Sequence, residues 1–474
     1  MQSVAESLER LGDLARTPSV ARLADAFAAV GHELSLVGGP VRDALLGRQV
    51  HDLDFTTDAR PDDILRIVSP VADAVWDVGR QFGTIGARLG DDTVEITTYR
   101  SDSYDGTTRK PEVEFGDTLE GDLMRRDFTV NALALRLPEV RLVDPSGGVE
   151  DLIAGVLRTP STPQISFGDD PLRMMRAARF TAQLGFAVDD ETRAAMAAMA
   201  DRIEIVSAER VRDEFSKLLM ADEPRAGLEL LVDSGLAELV VPEIPALRLE
   251  ADEHHHHKDV YQHSLTVLDQ AIGYEKERHP GEAPDLVLRL AAILHDIGKP
   301  ATRRFEPGGA VSFHHHDVVG AKLARKRLTA LRFDKATIDA VARLIELHLR
   351  FFGYADGAWT DSAVRRYVRD AGPQLERLHM LTRADVTTRN RRKADRLGFA
   401  YDDLESRIQE LKEQEELDAV RPDLDGEQVM SILGLRPGRE VGQAMKFLLE
   451  LRLDEGSLGE EEATRRLLAW WESR

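Results

Sequence analysis

A change of pattern near Pro163 constrains the fold of this chain more than any other feature of its sequence. Before it, short apolar segments such as Leu34–Val37 and Thr84–Leu89 are separated by glycines and by short segments of helical periodicity, which predicts a mixed α/β domain. From Asp169 to the C-terminus, almost every segment places its apolar residues at the period of an α-helix. The sequence therefore predicts an α+β protein, with a mixed α/β head and an all-helical remainder.

Length and composition narrow the class of protein. The chain has 474 residues, enough for roughly three domains. It has no cysteine, so a metal site needs His, Asp and Glu ligands. Residues 1–15 lack the apolar core of a signal peptide, and no segment is apolar enough to span a bilayer, so we expect a cytoplasmic protein with no membrane partner. The net charge of -22 argues against general coating of nucleic acid but leaves room for a local RNA-binding surface.

The first of three local patterns in the head is the turn from Gly38 to Asp43 (Gly-Gly-Pro-Val-Arg-Asp), between a predicted strand and a predicted helix. Glycines allow backbone N–H groups to approach a phosphate at a helix N-terminus, and Arg42 lies one turn further on. Taken alone, the pattern is equally typical of an ordinary strand–turn–helix.

The second pattern is the pair Asp52 and Asp54 on a predicted strand. Side chains two residues apart point to the same face of a strand, so the two carboxylates converge. Because close carboxylates repel unless a cation neutralises them, the pair predicts a Mg²⁺ site, with Glu95 as a possible third carboxylate. An isolated Asp-x-Asp more often marks a turn or an exposed edge.

The third pattern is basic and has two parts. Residues 122–132 combine Arg-Arg-Asp with Thr and Asn, which suits either a ribose and triphosphate site or structural salt bridges. The helix predicted over 169–184 carries four charged residues at a spacing of three, so that they share one side, whereas its apolar residues face the core. These are Asp170, Arg173, Arg176 and Arg179. A solvated helix face remains the alternative.

In this order, the patterns resemble the class II tRNA nucleotidyltransferase and bacterial poly(A) polymerase superfamily over essentially the whole chain. The resemblance implies that Asp52 and Asp54 hold two Mg²⁺ ions, which activate an RNA 3′-hydroxyl and stabilise the leaving pyrophosphate. It also implies a nucleotide site in which Gly39, Arg42 and Arg126 contact the triphosphate. By the same resemblance, base recognition falls to the charged helix side, through Asp170 and Arg173, and Arg176 and Arg179 complete the pocket.

The chemistry of the bases agrees with that role. Cytosine and adenine both present an amino donor beside a ring-nitrogen acceptor, which an Asp acceptor next to an Arg donor matches. Uracil and guanine present the reverse order, so one Asp–Arg pair admits CTP and ATP and rejects UTP and GTP. We therefore expect tRNA, CTP and ATP as partners, and no DNA.

Two segments favour addition of CCA over the alternatives. The polar segment Tyr99–Pro111 resembles the flexible loop needed to add the final A, which enzymes that add only CC tend to lack. Poly(A) polymerases of the superfamily favour two basic residues before the Phe of their Gly-basic-basic-Phe segment, whereas this chain has Gly79-Arg80-Gln81-Phe82. Poly(A) polymerase remains the first alternative. A metal-dependent RNA-end phosphohydrolase with a non-catalytic head is the second.

A helical section further along is rich in histidine. His295-Asp296 ends an apolar helix, with His263 upstream and Asp385 downstream, an order that resembles HD-family phosphohydrolases. The resemblance implies that these four residues bind an unidentified divalent metal that activates water, with His316 and His348 available for a second metal. It suggests 2′,3′-cyclic phosphates or 2′-phosphates at RNA ends as substrates. An HD fold kept only for RNA binding is the alternative.

Four regions are predicted along the chain. These are a nucleotidyltransferase head at 1–162, a helical neck with the base-recognition helix at 163–240, an HD domain at 241–395 and a helical, RNA-contacting C-terminal region at 396–474. Within the last region, the glycine-rich segment Leu433–Gly442 predicts a tight joint between helices or a contact with the tRNA backbone.

Overall fold

The structure is a computed structural model that describes residues 4–50, 52–100, 115–116, 118–248, 259–307, 311–355, 357, 359–387, 391–415 and 421–473. The chain divides into two compact units, Met1–Pro242 and Glu243–Arg474. Within the described ranges, no helix is both long enough and apolar enough to cross a bilayer. The finer boundaries inside each unit stay predictions, and the one at 395/396 falls within a continuous helix, Arg391–Glu415.

The first unit contains nine strands and twelve α-helices among its described residues. The strands are β1 Leu34–Val37, β2 Leu53–Thr57, β3 Ala74–Trp76, β4 Thr84–Leu89, β5 Asp92–Thr98, β6 Ala134–Leu137, β7 Arg141–Val143, β8 Val156–Leu157 and β9 Ala187–Val188. The helices are α1 Val4–Ala15, α2 Pro18–Ala28, α3 Gly39–Leu46, α4 Pro61–Val68, α5 Leu119–Met124, α6 Gly148–Ala154, α7 Pro163–Asp169, α8 Leu172–Leu184, α9 Asp190–Ala198, α10 Ala208–Leu219, α11 Pro224–Asp233 and α12 Leu236–Val240.

A seven-stranded mixed sheet organises the head, in the order β3-β4-β5-β2-β1-β6-β7. Only β2 and β5 pair in parallel, and the other neighbours are antiparallel. Apolar side chains of β1, β2, β4 and β5 pack with those of α2, α3 and α4 in one core, which buries Phe27, Leu36, Phe55 and Ile96. This burial fixes the register of β2, because a slip by one residue would turn its apolar side chains away from the core and its carboxylates into it.

The predicted single helix over 169–184 is wrong at its start. Helix α7 ends at Asp169, Asp170 is extended with φ -143°, and α8 begins at Leu172. The cause is Pro171, because a proline ring disfavours the helical conformation of the preceding residue. Asp170 therefore lies at the joint between two helices, where its Oδ1 accepts the N–H of Leu172 at 3.1 Å.

Among its described residues, the second unit is helical apart from two short antiparallel strands, β10 Arg304–Phe305 and β11 Val311–Ser312. Its helices are α13 Val260–Arg278, α14 Leu286–Leu294, α15 Lys299–Thr302, α16 His316–Ala330, α17 Lys335–Leu347, α18 Phe352–Ala355, α19 Asp361–Ala371, α20 Leu375–Ala384, α21 Arg391–Glu415, α22 Gly426–Leu433, α23 Arg439–Glu455 and α24 Glu460–Glu472. Helix α14 is buried from Leu288 to Leu294 and is apolar apart from Arg289, which pairs with Glu275 at 2.8 Å, as expected of a helix surrounded by others.

The C-terminal helices α22, α23 and α24 have a core of their own. Val429, Leu448 and Leu467 are buried there, and Trp470 stacks on Phe447 with ring centroids 4.6 Å apart. Helix α22 ends with Gly434 in the left-handed conformation (φ 67°), so the glycine-rich segment forms a helix–helix joint.

Candidate active site and metal centre

The two head carboxylates lie at the start of one buried strand. Asp54 is on β2, and Asp52 is exposed just before it. The parallel partner β5 places Glu95 directly opposite Asp54 in the register. Three carboxylates therefore lie close together, on the neighbouring strands β2 and β5 and on the residue just before β2. This arrangement suits a hard divalent cation with oxygen ligands.

The charge at this site is unbalanced. Burial raises the pKa of Asp54, and the neighbouring carboxylates of Glu95 and Asp52 raise it further, although the guanidinium of Arg126 opposes them. A bound cation would relieve this repulsion, so the residues present fit a metal site.

The glycine turn brings Arg126 against the backbone that follows β1. Gly38 has φ +75°, and a Cβ at this position would lie 3.1 Å from Nη1 of Arg126. Because the left-handed conformation and the close guanidinium both exclude a side chain, only glycine fits here without strain. Gly39 then opens α3 as its first residue.

Arg42 is almost fully engaged within the protein. It is 9% exposed, and its Nη1 donates to Oδ1 of Asn131 at 2.6 Å, whereas Nε and Nη2 donate to Asp43. Its contact with a triphosphate stays a prediction.

A buried ion network links the Arg-Arg-Asp run to the base-recognition helix. Asp127 accepts from Nε of Arg176 at 2.7 Å and from Asn131 at 3.0 Å. Burial opposes its ionisation, but the charges and hydrogen bonds of these partners hold the pKa of Asp127 well below its usual range. Glu214 on α10 extends the network, 2.8 Å from Nε of Arg179 and 3.7 Å from Arg176.

The face of α8 is therefore charged but mostly paired. Burial and the charge of Arg176 lower the pKa of Arg179 to about 10, so it remains a cation at neutral pH. Its guanidinium lies 4.2 Å from the ring centroid of Phe180. That ring meets Phe128 edge to face at 5.9 Å, which joins α8 to the Arg-Arg-Asp run by apolar packing as well.

Arg173 and Asp170 are held in fixed directions. Nη2 of Arg173 donates to the carbonyl of Arg125 at 2.5 Å, and Nη1 donates to the carbonyl and hydroxyl of Ser166. Oδ2 of Asp170 pairs with Arg210 at 2.8 Å. Such bonds preorganise both side chains, as recognition by hydrogen bonding requires.

The second unit contains a compact cluster of histidines and aspartates. Two groups of three ligand atoms each lie within 4.8 Å of one another: His263, His295 and Asp385 in the first, and Asp296, His316 and His348 in the second. All four predicted HD residues meet there. His263, Asp296 and Asp385 line a cavity of about 290 Å³ together with Lys299, His316, His348 and Thr387, whereas His295 is fully buried.

Backbone carbonyls fix the orientation of three imidazole rings in this cluster. Nδ1 of three histidines faces a backbone carbonyl: His295 faces Ala292 at 2.8 Å, His316 faces Phe313 at 2.8 Å, and His348 faces Ile345 at 2.6 Å. A carbonyl only accepts, so Nδ1 carries the hydrogen and the Nε2 lone pair of the neutral ring points into the cluster. Nε2 of His348 is buried with no hydrogen-bond partner among the described residues, and Nε2 of His316 lies 3.4 Å from Oδ1 of Asp296.

Electrostatics also fit a metal centre. Burial opposes a charge on His295, but the Asp296 and Asp385 carboxylates raise its pKa to about 10. Burial and the charge of His295 lower the pKa of His348 to about 4. Lys299 donates to Oδ2 of Asp296 at 2.5 Å. Protonated His295 and the Lys299 ammonium therefore balance the negative charges of Asp296 and Asp385, a role that a bound metal cation would take over.

Sequence reasoning missed several participants. Glu214, Arg210 and Asp122 contact predicted site residues. Glu214 and Arg210 lie on α10, more than 30 residues after Arg176, and no local sequence pattern predicts their contacts. The loop predicted over 99–111 lies outside the described residues from 101 onward.

Three family models match the chain in order. "Poly A polymerase head domain" covers residues 34–158, "Probable RNA and SrmB- binding site of polymerase A" covers 185–247, and "HD domain" covers 260–390. Together they define a polymerase-type head, an RNA-binding segment and an HD domain in one chain.

Similar proteins narrow this class. The A-adding tRNA nucleotidyltransferase of Deinococcus radiodurans is 35% identical, over 92% of this chain and 95% of the relative. The CC-adding enzyme of Thermus thermophilus is 32% identical, over 92% and 93%. The CCA-adding enzyme of Bacillus subtilis is 41% identical over 44% of this chain and 51% of the relative. The chain belongs to the tRNA nucleotidyltransferase family, which confirms the resemblance.

Solved structures agree on the fold. The Bacillus stearothermophilus CCA-adding enzyme in complex with CTP has a TM-score of 0.70 and 24% identity, covering 97% of this chain and 99% of that one. The Thermotoga maritima CCA-adding enzyme complexed with tRNA has a TM-score of 0.62 and 20% identity, covering 99% and 100%. The predicted α+β class, with a mixed head and a mostly helical remainder, is confirmed.

Proposed function

We propose that this protein adds CCA to the 3′ end of tRNA without a nucleic-acid template, using CTP and ATP. One observation carries the proposal: residues 125–127 connect the carboxylate strand to the base-recognition helix. Arg125 accepts from Arg173, Arg126 acts on the pKa of Asp54, and Asp127 binds Arg176. A nucleotide whose phosphates meet Arg126 therefore has its base within reach of α8.

In the proposed mechanism, Asp52 and Asp54 hold two Mg²⁺ ions, with Glu95 beside them. When bound, the ions activate the RNA 3′-hydroxyl and stabilise the pyrophosphate. Arg126 and the N–H groups that open α3 at Gly39 bind the triphosphate, and Arg42 supports them. Asp170 accepts from the amino group of cytosine or adenine, and Arg173 donates to the neighbouring ring nitrogen. Arg176 and Arg179, fixed by Asp127 and Glu214, complete the pocket.

A division of labour between two enzymes is the main alternative. The two relatives cited above that match 92% of this chain are named A-adding and CC-adding, whereas the CCA-adding enzyme of Bacillus subtilis matches 44% of its sequence. The segment Tyr99–Pro111 supports addition of the final A. Poly(A) addition is the remaining alternative for the head.

Two tRNA substrates test the proposal, one ending at the discriminator base and one ending in CC. Each is incubated with Mg²⁺ and all four NTPs, and the 3′ ends are sequenced. We expect both to end in CCA and to stop there. A product that ends in CC from the first substrate would identify a CC-adding enzyme. Extension of the second substrate alone would identify an A-adding enzyme, and a long A tail a poly(A) polymerase.

For the second unit, we propose a metal centre that hydrolyses phosphate esters at RNA ends. The inward-facing Nε2 atoms and the two ligand triads support it. His263, His295, Asp296 and Asp385 bind one divalent metal, and His316 and His348 bind a second with Asp296. When bound, the metal activates water.

We place the whole protein in the cytoplasm, where tRNA and nucleotides are available.

Metal content and hydrolysis test this second activity. The purified protein is loaded with Mn²⁺, Ni²⁺ or Zn²⁺, desalted and measured by plasma mass spectrometry, then assayed on a 2′,3′-cyclic phosphate RNA end. We expect about two metals per chain and loss of one in His348→Ala. Absence of retained metal in the wild type would favour an HD fold kept for RNA binding.

A further inference from the structure

Asp122 is a buried carboxylate to which the proposed mechanism assigns no role. It lies on α5, four residues before Arg126, and is 7% exposed. Burial of an aspartate costs free energy unless its oxygens are satisfied by donors. Each of its oxygens accepts hydrogen bonds from groups of the active site or its margin, so its contacts show what the carboxylate holds in place.

Oδ2 joins Arg126 to the carboxylate strand. It accepts from Nη2 of Arg126 at 3.3 Å and from Oγ1 of Thr56 at 3.2 Å. Thr56 lies two residues after Asp54 on β2, so both side chains are on the same face of the strand. A single oxygen thus ties the guanidinium to the strand that carries Asp54.

Oδ1 ties in a third segment. It accepts the backbone N–H of Arg100 at 3.2 Å, just after β5 ends. Strand β5 also carries Glu95, opposite Asp54. Asp122 therefore links Thr56 of β2 to the backbone of Arg100, which follows β5, and anchors Arg126 next to both strands.

Arg126 depends on this contact for its direction. Among the described residues, its guanidinium makes one hydrogen bond, the one to Asp122, and its buried Nε has no protein partner. The side chain also lies against Gly38, where an added Cβ would be 3.1 Å from its Nη1. A guanidinium that is held by one hydrogen bond, and that keeps other N–H groups available, is suited to bind a phosphate oxygen in a fixed orientation.

We propose that Asp122 is a positioning residue for nucleotide binding, which acts by aiming Arg126 at the triphosphate next to the carboxylate strand. The inference rests on the proposed nucleotidyl transfer. Asp122 itself touches neither nucleotide nor RNA. Its removal therefore weakens nucleotide binding through Arg126 and leaves base choice unchanged, because Asp170 and Arg173 make no contact with it among the described residues.

A double-mutant cycle tests the proposal on the full-length protein. Equilibrium binding of CTP with Mg²⁺, and the KM and kcat of CTP addition to tRNA, are measured for the wild type, Asp122→Asn, Arg126→Gln and the double variant. We expect Asp122→Asn to raise the Kd and KM for CTP roughly 5- to 20-fold, the effect of losing a charge-assisted hydrogen bond. In the Arg126→Gln background, the same change should add less than twofold, because the residues act as a unit.

The matched control is Asp144→Asn in the same head. Asp144 is half-buried and accepts the N–H groups of Gly148 and Val149 at the start of α6. The change therefore makes the same substitution at an aspartate outside the proposed nucleotide site. Its Kd and KM should stay within twofold of the wild type. The positioning role is wrong if the Kd and KM of Asp122→Asn stay as close to the wild type as those of this control. It is also wrong if the fold change in Kd of the double variant equals the product of the fold changes of the two single variants.

Two further readouts keep the outcomes separate. If Asp122→Asn folds poorly by its melting temperature, Thr56→Val removes one bond to the same oxygen and keeps the charge. It should raise the Kd for CTP about twofold or more with the CTP-to-UTP preference unchanged, and an unchanged Kd would contradict the link to the strand. A wild-type protein that binds CTP but does not extend tRNA would overturn the proposed function and not this inference.

Discussion

At the scale of single residues, Arg173 shows how an interior arginine is made selective. Its donors to Ser166 and Arg125 fix the plane of the guanidinium before a nucleotide arrives. Arg173→Ala should therefore lower the preference for CTP over UTP, in kcat/KM, by roughly 10- to 100-fold, the effect of one hydrogen bond to a charged group. Single-nucleotide addition to a tRNA ending at the discriminator base measures it.

Its control is Arg193→Ala, on the exposed side of α9. This variant loses the same atoms but should keep the wild-type preference. A preference against UTP that survives Arg173→Ala would show that the base is recognised elsewhere.

Spacing predicted that Asp52 and Asp54 lie close together, and Asp52 does act on the pKa of Asp54. Only Asp54 lies on β2, however, because the strand begins at Leu53, so the assumed alternation covers one of the two carboxylates. The partners of α8 were not predictable in this way. Glu214 neutralises Arg179 from a different helix, and that contact exists only after α8 and α10 have packed together. Tertiary ion pairs leave no periodic signature in a sequence, which is why the arginines suggested either a ligand or solvent, and not a buried acid.

At the scale of secondary-structure elements, the periodicity of residues 169–184 continued through Pro171, so the predicted helix was continuous where the structure has a joint. The break matters because it places Asp170 at the joint between α7 and α8, where its carboxylate accepts from the N–H of Leu172 and pairs with Arg210. Similarly, the HD ligands were predicted by their order, but the backbone carbonyls that orient the imidazoles could be located only in the structure.

Close packing between α15 and α16 makes a prediction for Gly298, which precedes α15. A Cβ there would lie 2.1 Å from the carbonyl oxygen of His316 and 2.7 Å from the nitrogen of Gly320. Gly298→Ala should therefore destabilise this unit by about 1–3 kcal/mol, as overpacking does, and weaken metal binding by displacing His316. Thermal unfolding and metal content measure the two effects.

Gly273→Ala is the control for that change. Gly273 is exposed on α13 of the same unit and has open space around it, so alanine should leave stability unchanged or raise it slightly. Equal effects of the two substitutions would contradict the packing argument.

Glu405 on α21 predicts a pH dependence of stability. It accepts from Arg278 on α13 at 2.8 Å and lies 3.2 Å from Nδ1 of His379 on α20. Partial burial opposes ionisation, but these bonds lower the pKa of Glu405 to about 2 from an ordinary 4.5. The folded state therefore gains stability from the carboxylate above pH 4.5 and loses it as the pH falls from 4.5 towards 2.

Glu405→Gln should accordingly lower the free energy of unfolding at pH 7 by about 1–2 kcal/mol, allowing for solvent screening. The difference from the wild type should shrink below pH 4.5, measured by thermal unfolding of both proteins at several pH values. Glu462→Gln is the control. Arg465 and Arg466 lower the pKa of Glu462 to about 2 as well, but these three side chains lie at the surface of the last helix, where solvent screens their charges, so little change in stability is expected.

At the scale of the whole molecule, the candidate sites belong to different compact units, each with its own polar network. Every contact that orients Asp52, Asp54, Arg126 and the α8 arginines comes from residues 1–242, and every contact that orients the HD ligands comes from residues 243–474, among the parts of the chain that the structure describes.

This separation predicts that the two chemistries can be removed independently. Asp52→Ala should abolish nucleotide addition while metal content and any phosphoesterase activity stay at the wild-type level. His295→Ala should remove the metal centre and leave addition intact, because the contacts of its imidazole in the described parts of the chain are with other residues of the HD cluster and the Ala292 carbonyl. Addition that survives Asp52→Ala would refute the proposed two-metal site. Loss of addition in His295→Ala, with a normal melting temperature, would show instead that the HD unit takes part in the transfer reaction, for example by holding the tRNA.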